Sequence, residues 1–259
     1  MNDEFSLEAF QARLTTRYVG RRVLYYPSLA ATQDVARQEA ERGAPEGATV
    51  LADQQTAGRG RLGRSWLSPP GANLYFSVVL RPAAEHLRTL GMIWPLAICQ
   101  ALEEETGLQA RVKWPNDVLV GSRKLAGVLI DTGLSGDRVY YAIAGIGLNV
   151  NFDVAAHEEI RDIATSISAE LGREVVRDEL LAAVLGHFEE LDEAARRGEP
   201  VHLAWKERLD TLGRRVRVGF GDRVEEGIAE DAEPDGTLVL RRPDGSLVRI
   251  EAGEVTLKG

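Results

Sequence analysis

Runs of apolar residues divide the first part of the chain into short strands and two helices. Three strands are predicted, at 23–26, 48–54 and 73–81. A helical period runs from 32 to 43, where Gly43 ends it, and a longer one spans 87–107. Pro95 lies inside the longer helix, and we expect it to kink that helix.

Four more β-rich runs follow with only short breaks between them. They lie at 110–115, 117–120, 123–134 and 138–152. Each break is too short for a crossover helix, so antiparallel hairpins are favoured over βαβ units. Beyond these runs the apolar period becomes helical, as far as about residue 210.

The C-terminal region has a different pattern, in which short strands alternate with turn signals. Pro-Asp-Gly occurs at 234–236 and again at 243–245, each time just before a strand-like run. This spacing indicates a small β-barrel or sandwich that begins near 210–213. We therefore predict two domains, residues 1–210 and residues 211–259.

The composition is that of a soluble globular protein, with 44% hydrophobic and 27% charged residues. The net charge of -9 argues against bulk nucleic-acid binding, which needs a basic face, but leaves room for a local basic site. No apolar run approaches the roughly 18 residues of a membrane span. The N-terminus is too acidic and polar for a secretion signal, so we expect a cytoplasmic protein.

The single cysteine, Cys99, lies in an apolar run. One cysteine excludes a disulfide within the chain and makes a cysteine-based metal site improbable. We expect Cys99 to be a small buried core residue.

The segment Thr56–Trp66 reads TAGRGRLGRSW and matches the G-x-G-x-x-G pattern of dinucleotide-binding folds. Those folds begin a helix at the third glycine, whereas Pro-Pro-Gly at 69–71 prevents one here. A Walker A loop is excluded because no glycine in the chain precedes a lysine. The pattern instead predicts a flexible loop whose arginines, Arg59, Arg61 and Arg64, suit phosphate or carboxylate. The alternative is a solvated surface loop with incidental charge.

Two lysines are informative because the chain has only four and otherwise uses arginine. An unpaired ammonium group on a strand is costly, so Lys113 should have an anionic partner. For Lys113 an ion pair with Asp117 and a functional role are both open. Lys124 precedes a strand in which Gly127 indicates close approach of another group, a position that fits anion binding.

A third group of residues lies in the run at 138–152. Gly145 and Gly147 within a strand indicate close approach of another backbone or a ligand. Asn149 and Asn151 would place two amides on one face of that strand. A bulged core strand is an equally good reading of this pattern.

Taken together, these segments resemble the biotin–protein ligases, also called biotin–[acetyl-CoA-carboxylase] ligases. The resemblance covers about Val23 to Phe152 and rests on GRGRLGRSW, KWPNDVLV, RKLAGVLI and GIGLNVN, in that order. The C-terminal β region is similar to the small SH3-like domain of that family. The resemblance implies an α+β fold: a mixed β-sheet with flanking helices, related to class II aminoacyl-tRNA synthetases, followed by a small SH3-like β-barrel.

The resemblance also implies a two-step reaction with ATP and biotin as substrates and Mg²⁺ as partner of the phosphates. Biotin and ATP first give biotinyl-5′-AMP and pyrophosphate. A lysine of a biotin carboxyl carrier protein then takes the biotinyl group and AMP is released. Fixed positive charge at the reacting centre is what joining two anions requires.

Roles for individual residues follow from the same resemblance. Lys124 would bridge the biotin carboxylate and the α-phosphate, and Arg61 would act with it in a loop that closes over both. Contacts to biotin or its adenylate are assigned to Ala31, Thr32, Gln33, Gln55, Gly58, Arg59, Gly60, Arg61, Lys124, Gly127 and Gly145. The nucleotide side is assigned to Trp66, Asn116, Asp117 and Asn149, and no residue is assigned as a metal ligand.

This sequence departs from the family pattern in two places. The first biotin motif is often Ser-Thr-Asn but here is Ala31-Thr32-Gln33, so one hydroxyl is lost and the amide has a longer reach. Only about 30 residues precede that motif in this sequence, too few for the N-terminal DNA-binding domain that some members carry. We therefore expect a monofunctional ligase that binds neither DNA nor membranes. A homodimer is compatible with the resemblance but not decided by it.

Two other readings compete with this one. A related ligase for lipoate or octanoate would use different loop chemistry, without the glycine-arginine string. A non-enzymatic regulator responding to biotin or a nucleotide would not need both Arg61 and Lys124.

Overall fold

The computed structural model describes residues 5–135, 138–220 and 223–257. The helices in these ranges are α1 Leu7–Arg13, α2 Thr32–Glu41, α3 Leu87–Thr106, α4 Ile167–Leu171, α5 Arg177–Arg196 and α6 Val201–Glu207. The strands are β1 Val23–Tyr26, β2 Thr49–Ala52, β3 Leu74–Leu80, β4 Arg111–Lys113, β5 Asp117–Val120, β6 Arg123–Ser135, β7 Arg138–Leu148, β8 Arg215–Phe220, β9 Arg223–Ala232, β10 Leu238–Arg241, β11 Leu247–Ile250 and β12 Glu254–Leu257.

Seven strands form a mixed sheet in the order β1-β2-β3-β7-β6-β5-β4. Among the described strands of this sheet, only the pair β1–β2 is parallel. The four β-rich runs from β4 to β7 pair as antiparallel neighbours, as their short breaks predicted. Gly127 of β6 and Gly147 of β7 are directly opposite each other in this register. The sheet therefore has a strip of bare backbone near its middle.

Helices cover both faces of the mixed sheet. On one face α3 and α5 enclose the main core, in which the rings of Trp94 and Phe188 stack at 3.8 Å. Helix α3 continues through Pro95, and Gly107 ends it in the left-handed region at φ 76°. Cys99 is fully buried there, and burial raises the pKa of its thiol to about 12. On the other face α2 packs on β2, β3 and β7.

The C-terminal strands form a five-stranded antiparallel sheet in the order β11-β10-β9-β8-β12. Both Pro-Asp-Gly turns precede the strands they predicted, with Gly236 at φ 87° and Gly245 at φ 85°. This sheet contacts the first part of the chain where the Trp114 indole donates to the Gly236 carbonyl at 2.8 Å. None of the described helices is long and apolar enough to cross a membrane.

Candidate active site

A cavity of about 130 Å³ opens where the start of α2, the loop after β2 and strands β6 and β7 meet. Most of the site residues predicted from the sequence lie on its wall: Ala31, Thr32, Gln33, Gln55, Arg59, Gly60, Arg61, Trp66, Asp117, Lys124, Gly127 and Gly145. Segments far apart in sequence thus converge on one cavity.

The floor of the cavity is the glycine strip of β6 and β7. A Cβ atom added at Gly147 would lie 2.4 Å from Cε2 of Trp66, so a side chain there would displace the indole. At Gly145 the added atom would lie 2.6 Å from Cδ of Gln33. Bare backbone at these two positions is therefore what lets Trp66 and Gln33 lie flat against the sheet.

The first turn of α2 forms one end of the cavity, and Gln55 holds it in place. Ala31 is the N-cap residue, and its methyl side chain cannot accept a hydrogen bond from the backbone N–H groups of the first turn. The Gln55 carbonyl oxygen does so instead, accepting from the Thr32 backbone N–H at 2.9 Å and its hydroxyl at 3.1 Å. Ser68 accepts from the Gln55 amide at 3.1 Å. This arrangement aims the positive end of the helix at the cavity.

Gln33 stands where the family motif often has asparagine, and its longer side chain reaches across the cavity to the sheet. Its side chain is 5% exposed and donates to the Leu129 carbonyl of β6 at 3.2 Å. The amide thereby spans from α2 to the sheet across the inner end of the cavity.

Lys124 is fixed by its backbone and carries its charge into the cavity. Its N–H donates to Ile163 and its carbonyl accepts from Thr165, both at 2.8 Å. Its Nζ lies 2.7 Å from Asp117 and 5.3 Å from the centre of the Trp66 ring. Lys113 is opposite Asp117 across β4 and β5, but in the described part of the chain the ion pair of Asp117 is with Lys124. Of the two alternatives for Lys113, the pair with Asp117 is wrong.

The arginines of the loop close the cavity from above. Arg61 donates to the Asn116 side chain at 3.0 Å and to the Gly253 carbonyl at 2.9 Å. Arg64 forms a two-pronged ion pair with Glu254, with one contact at 2.6 Å. Arg61 therefore ties the loop to the turn between β11 and β12, and Arg64 ties it to the first residue of β12.

The third loop arginine, Arg59, points away from the C-terminal sheet and towards α2. The loop bends sharply between Arg59 and Arg64. Arg59 binds Asp34 of α2 at 2.5 Å. Leu62, at the tip, adopts a left-handed φ of 55° and is 75% exposed. Within the described residues the buried indole nitrogen of Trp66 has no hydrogen-bond partner, which leaves one donor for a ligand to satisfy or displace.

Three predicted site residues lie behind the wall rather than on it. Gly58 is buried, and a Cβ atom there would lie 2.5 Å from the Trp66 carbonyl oxygen. Asn116 is held between Arg61 and the Val128 carbonyl. Asn149 is 4% exposed and donates to the Thr165 carbonyl at 3.0 Å. In this structure the three support the wall, and direct contact with a nucleotide would need them to exchange partners.

Sequence reasoning also missed part of the wall. Glu254 and Val255 reach the cavity from the C-terminal sheet, and no local pattern marks them. Arg64 and Lys113 also line it; both were recognised as cations but received no site role. Counted over the whole wall, five basic side chains face two acidic ones, in a chain of net charge -9. The cavity is therefore a local basic site suited to anions.

Comparisons with known proteins agree with this geometry. The model of the Biotin/lipoate A/B protein ligase family matches residues 25–149, and that of the Biotin protein ligase C terminal domain matches 211–258. The bifunctional ligase/repressor BirA of Bacillus subtilis is 34% identical over 249 residues, which is 94% of this chain and 76% of that protein. The biotin--[acetyl-CoA-carboxylase] ligase of Paracoccus denitrificans is 36% identical, over 89% of this chain and all of its own length.

A solved structure is similar over almost the same span. It is the biotin protein ligase of Aquifex aeolicus in complex with biotin and ATP, 32% identical, with a TM-score of 0.80 over 92% of this chain and 99% of that one. The mixed sheet with flanking helices and the small C-terminal sheet are therefore the biotin ligase fold, as the resemblance implied. This chain belongs to the biotin protein ligase family.

Proposed function

We propose that the cavity beneath the loop at 56–66 is where this chain, a biotin–protein ligase, joins biotin to AMP. The observation that carries the assignment is the excess of basic side chains on the wall of a cavity with a glycine floor. The chain is an ATP-dependent enzyme that forms biotinyl-5′-AMP and transfers biotin to a lysine of a biotin carboxyl carrier subunit.

The first half-reaction joins two anions. A carboxylate oxygen of biotin attacks the α-phosphorus of ATP, and the bond to the bridging oxygen breaks to release pyrophosphate. Each cation beside the reacting atoms lowers the repulsion between carboxylate and phosphate, and it does so more strongly in a cavity than in water. Lys124, held by its backbone, and Arg61, held above it, are placed to supply that charge.

The second half-reaction needs no further charge. The neutral ε-amine of the acceptor lysine attacks the acyl carbon of the adenylate, the bond to the phosphate oxygen breaks, and AMP leaves with both bonding electrons. An amide forms and the amine loses a proton. A closed loop protects the adenylate from water between the two steps.

Mg²⁺ is proposed to enter with ATP. Among the described residues, no group of three or more His, Cys, Asp or Glu side chains is arranged to hold a metal ion. Mg²⁺ often keeps several waters and binds one or two carboxylates together with phosphate oxygens. Asp117 and Glu254 are the carboxylates on the wall, which fits an ion carried by the nucleotide and neutralising its phosphates.

The remaining expectations are also proposals. We infer a cytoplasmic protein that binds no DNA, and we place the domain boundary at 210/211, which the span of the C-terminal family model supports. A homodimer stays a prediction that sedimentation velocity checks. Gel-shift titration with duplex DNA should give no specific complex.

The reaction itself is tested with a biotin carboxyl carrier domain as acceptor. Incubation with biotin, ATP and Mg²⁺ should add one biotin to one lysine, read by intact-mass spectrometry and peptide mapping. An acceptor with that lysine changed to arginine should remain unmodified. Modification without ATP, or none at all, would contradict the assignment.

We expect Gly145→Ala to weaken biotin binding. The added methyl group lies where Gln33 packs and should break its hydrogen bond to Leu129. Losing a buried hydrogen bond costs about 1–3 kcal/mol, so the KM for biotin should rise roughly 5- to 140-fold. Gly91→Ala, where an added Cβ meets nothing within 4 Å, is the control. An unchanged KM in Gly145→Ala would show that Gln33 does not position biotin.

We expect Glu254→Gln to loosen the loop in the free enzyme. Without the ion pair to Arg64, trypsin should cleave after the loop arginines several times faster, as followed by mass spectrometry of timed digests. Biotin with ATP should protect both proteins. Glu251→Gln is the matched control, because its partner is Arg88 and not the loop. Equal rates of cleavage of wild type and Glu254→Gln would show that the ion pair between Arg64 and Glu254 does not hold the loop closed.

A further inference from the structure

A buried ion pair lies at the base of the loop at 56–66, away from the wall of the active-site cavity. Arg177, the first residue of α5, is 1% exposed. Its Nη1 donates to Oδ1 of Asp53 at 2.8 Å and to the Asn73 carbonyl oxygen at 3.1 Å. Asp53 directly follows β2, and Asn73 directly precedes β3. A single guanidinium group thus holds the two strand ends between which the loop lies.

The carboxylate of Asp53 also joins the two ends of the loop directly. Its Oδ2 accepts from the Gly71 backbone N–H at 2.8 Å, across 18 positions of sequence. On the exit side, the Tyr75 hydroxyl donates to the Pro69 carbonyl at 3.2 Å and accepts from the Asn73 amide at 2.9 Å. Burial raises the pKa of Tyr75, so the phenol keeps the proton that it donates. The chain is therefore fastened on both sides of the loop.

The fastened ends carry residues that form the cavity. Gln55, which accepts from the first turn of α2, is two positions after Asp53. Its backbone N–H donates to the Ser68 carbonyl at 3.3 Å, so the entry and exit segments of the loop run side by side. The Ser68 hydroxyl donates in turn to the Trp66 carbonyl at 3.0 Å. A shift of either loop end would therefore move Gln55 and Trp66 relative to the glycine strip.

Stability is a weak explanation for an arginine buried at this place. A guanidinium group loses its hydration on burial, and the attraction to a carboxylate partner rarely exceeds that loss by much. Apolar side chains of similar volume often replace a buried ion pair without loss of stability. What Arg177 supplies, and an apolar side chain does not, is a fixed position for Asp53 and for the Asn73 carbonyl.

We propose that Arg177 is a positioning residue for the ligase reaction, acting through Asp53 on the loop that covers the cavity. The inference rests on the proposed function, because it concerns how the proposed biotin site is held in its binding conformation. Without the guanidinium group the loop ends are free to separate, and the conformation that binds biotin is populated less. The apparent dissociation constant for biotin rises by the factor by which that population falls. Chemistry beneath a closed loop is unchanged, since Lys124 and Arg61 are intact.

Arg177→Met should raise the Kd for biotin at least tenfold, as measured by isothermal titration calorimetry. The KM for biotin in ATP–pyrophosphate exchange should rise by the same factor, while kcat at saturating biotin stays within threefold of wild type. Arg196→Met is the matched control, because it removes ion pairs of α5 with Glu46 and Asp192, away from the cavity wall. We expect this control to lower the midpoint of thermal unfolding and to leave the Kd for biotin unchanged.

A double variant separates positioning from the cost of an unpaired charge. In Arg177→Met with Asp53→Asn, no carboxylate is left without its cation, and the amide oxygen still accepts from the Gly71 N–H. The Kd for biotin should remain at least fivefold above wild type. Asp53→Asn alone tests the same link with the guanidinium group in place, because one amide oxygen must then serve both Arg177 and Gly71. Its Kd should rise several-fold, and circular dichroism checks that each variant is folded.

Three results would overturn the proposal. The first is a wild-type Kd for biotin in Arg177→Met or in Asp53→Asn. The second is a return of the Kd to the wild-type value in the double variant, which would reduce the role of Arg177 to neutralising Asp53. The third is a fall in kcat with an unchanged KM, which would place Arg177 in the chemical step. Absence of biotin-dependent exchange in the wild type would instead refute the proposed function itself.

Discussion

Lys124→Ala should reduce biotin-dependent adenylate formation to below about a hundredth of the wild-type rate, as expected when a charge at the reacting centre is lost. The Lys124 ammonium group is the cation that lies beside both Asp117 and the Trp66 ring in the cavity. Without it, carboxylate and α-phosphate meet with less compensation, and Asp117 adds an unpaired negative charge. Exchange of labelled pyrophosphate into ATP measures the step directly.

The fold should survive this change. The backbone hydrogen bonds of Lys124 to Ile163 and Thr165 do not involve its side chain, which is 35% exposed. Circular dichroism and thermal unfolding should match the wild type. Lys206→Ala removes another paired lysine, whose partner is Asp231 and which does not line the cavity, and should keep full activity. Wild-type exchange in Lys124→Ala would refute its assignment.

Arg61→Gly should form the adenylate but fail to retain it. The Arg61 guanidinium group ties the loop to Asn116 and to the Gly253 carbonyl, so its loss opens the cavity. Two charge-assisted hydrogen bonds at about 1.5 kcal/mol each predict release at least tenfold faster. Released adenylate is an activated ester and should biotinylate exposed lysines of the enzyme and of a bystander protein.

Streptavidin blotting and peptide mapping measure that labelling. Arg42→Gly is the matched control, because Arg42 is exposed at the end of α2 and pairs only with Glu39 among the described residues. Self-labelling of Arg61→Gly at the wild-type level would show that the loop does not need Arg61 to stay closed.

Local sequence patterns were sufficient for most of the fold. Hairpins were predicted for β4 to β7 because the breaks between the runs are too short for helices, and the β-pairing confirms them. The turns at Gly236 and Gly245 were found because Pro-Asp-Gly favours a left-handed glycine. A single helix with Pro95 in its interior was also predicted, and α3 confirms it, because a long helix that packs on both the sheet and α5 can retain an interior proline. The kink expected at Pro95 stays a prediction.

The site was predictable where its residues lie in compact motifs and not where the fold brings distant residues together. Arg61 and Lys124 come from such motifs, whereas the Arg64–Glu254 pair joins residues 190 positions apart. The ion pair between Asp117 and Lys124 could not be predicted from the sequence either. A register shift between Val118 and Leu119 interrupts the pairing of β5 with β6 beside Lys124, and sequence does not reveal such a shift.

The most direct test of the account is ATP–pyrophosphate exchange by the purified protein with biotin, with lipoate and with neither. Exchange that depends on biotin alone is the predicted result, because the cavity would then activate the biotin carboxylate as its charges indicate. Exchange supported by lipoate would show that the chain is one of the related ligases that act on lipoate or octanoate. No exchange with either, despite tight biotin binding, would contradict the account and leave Lys124 as a binding residue only.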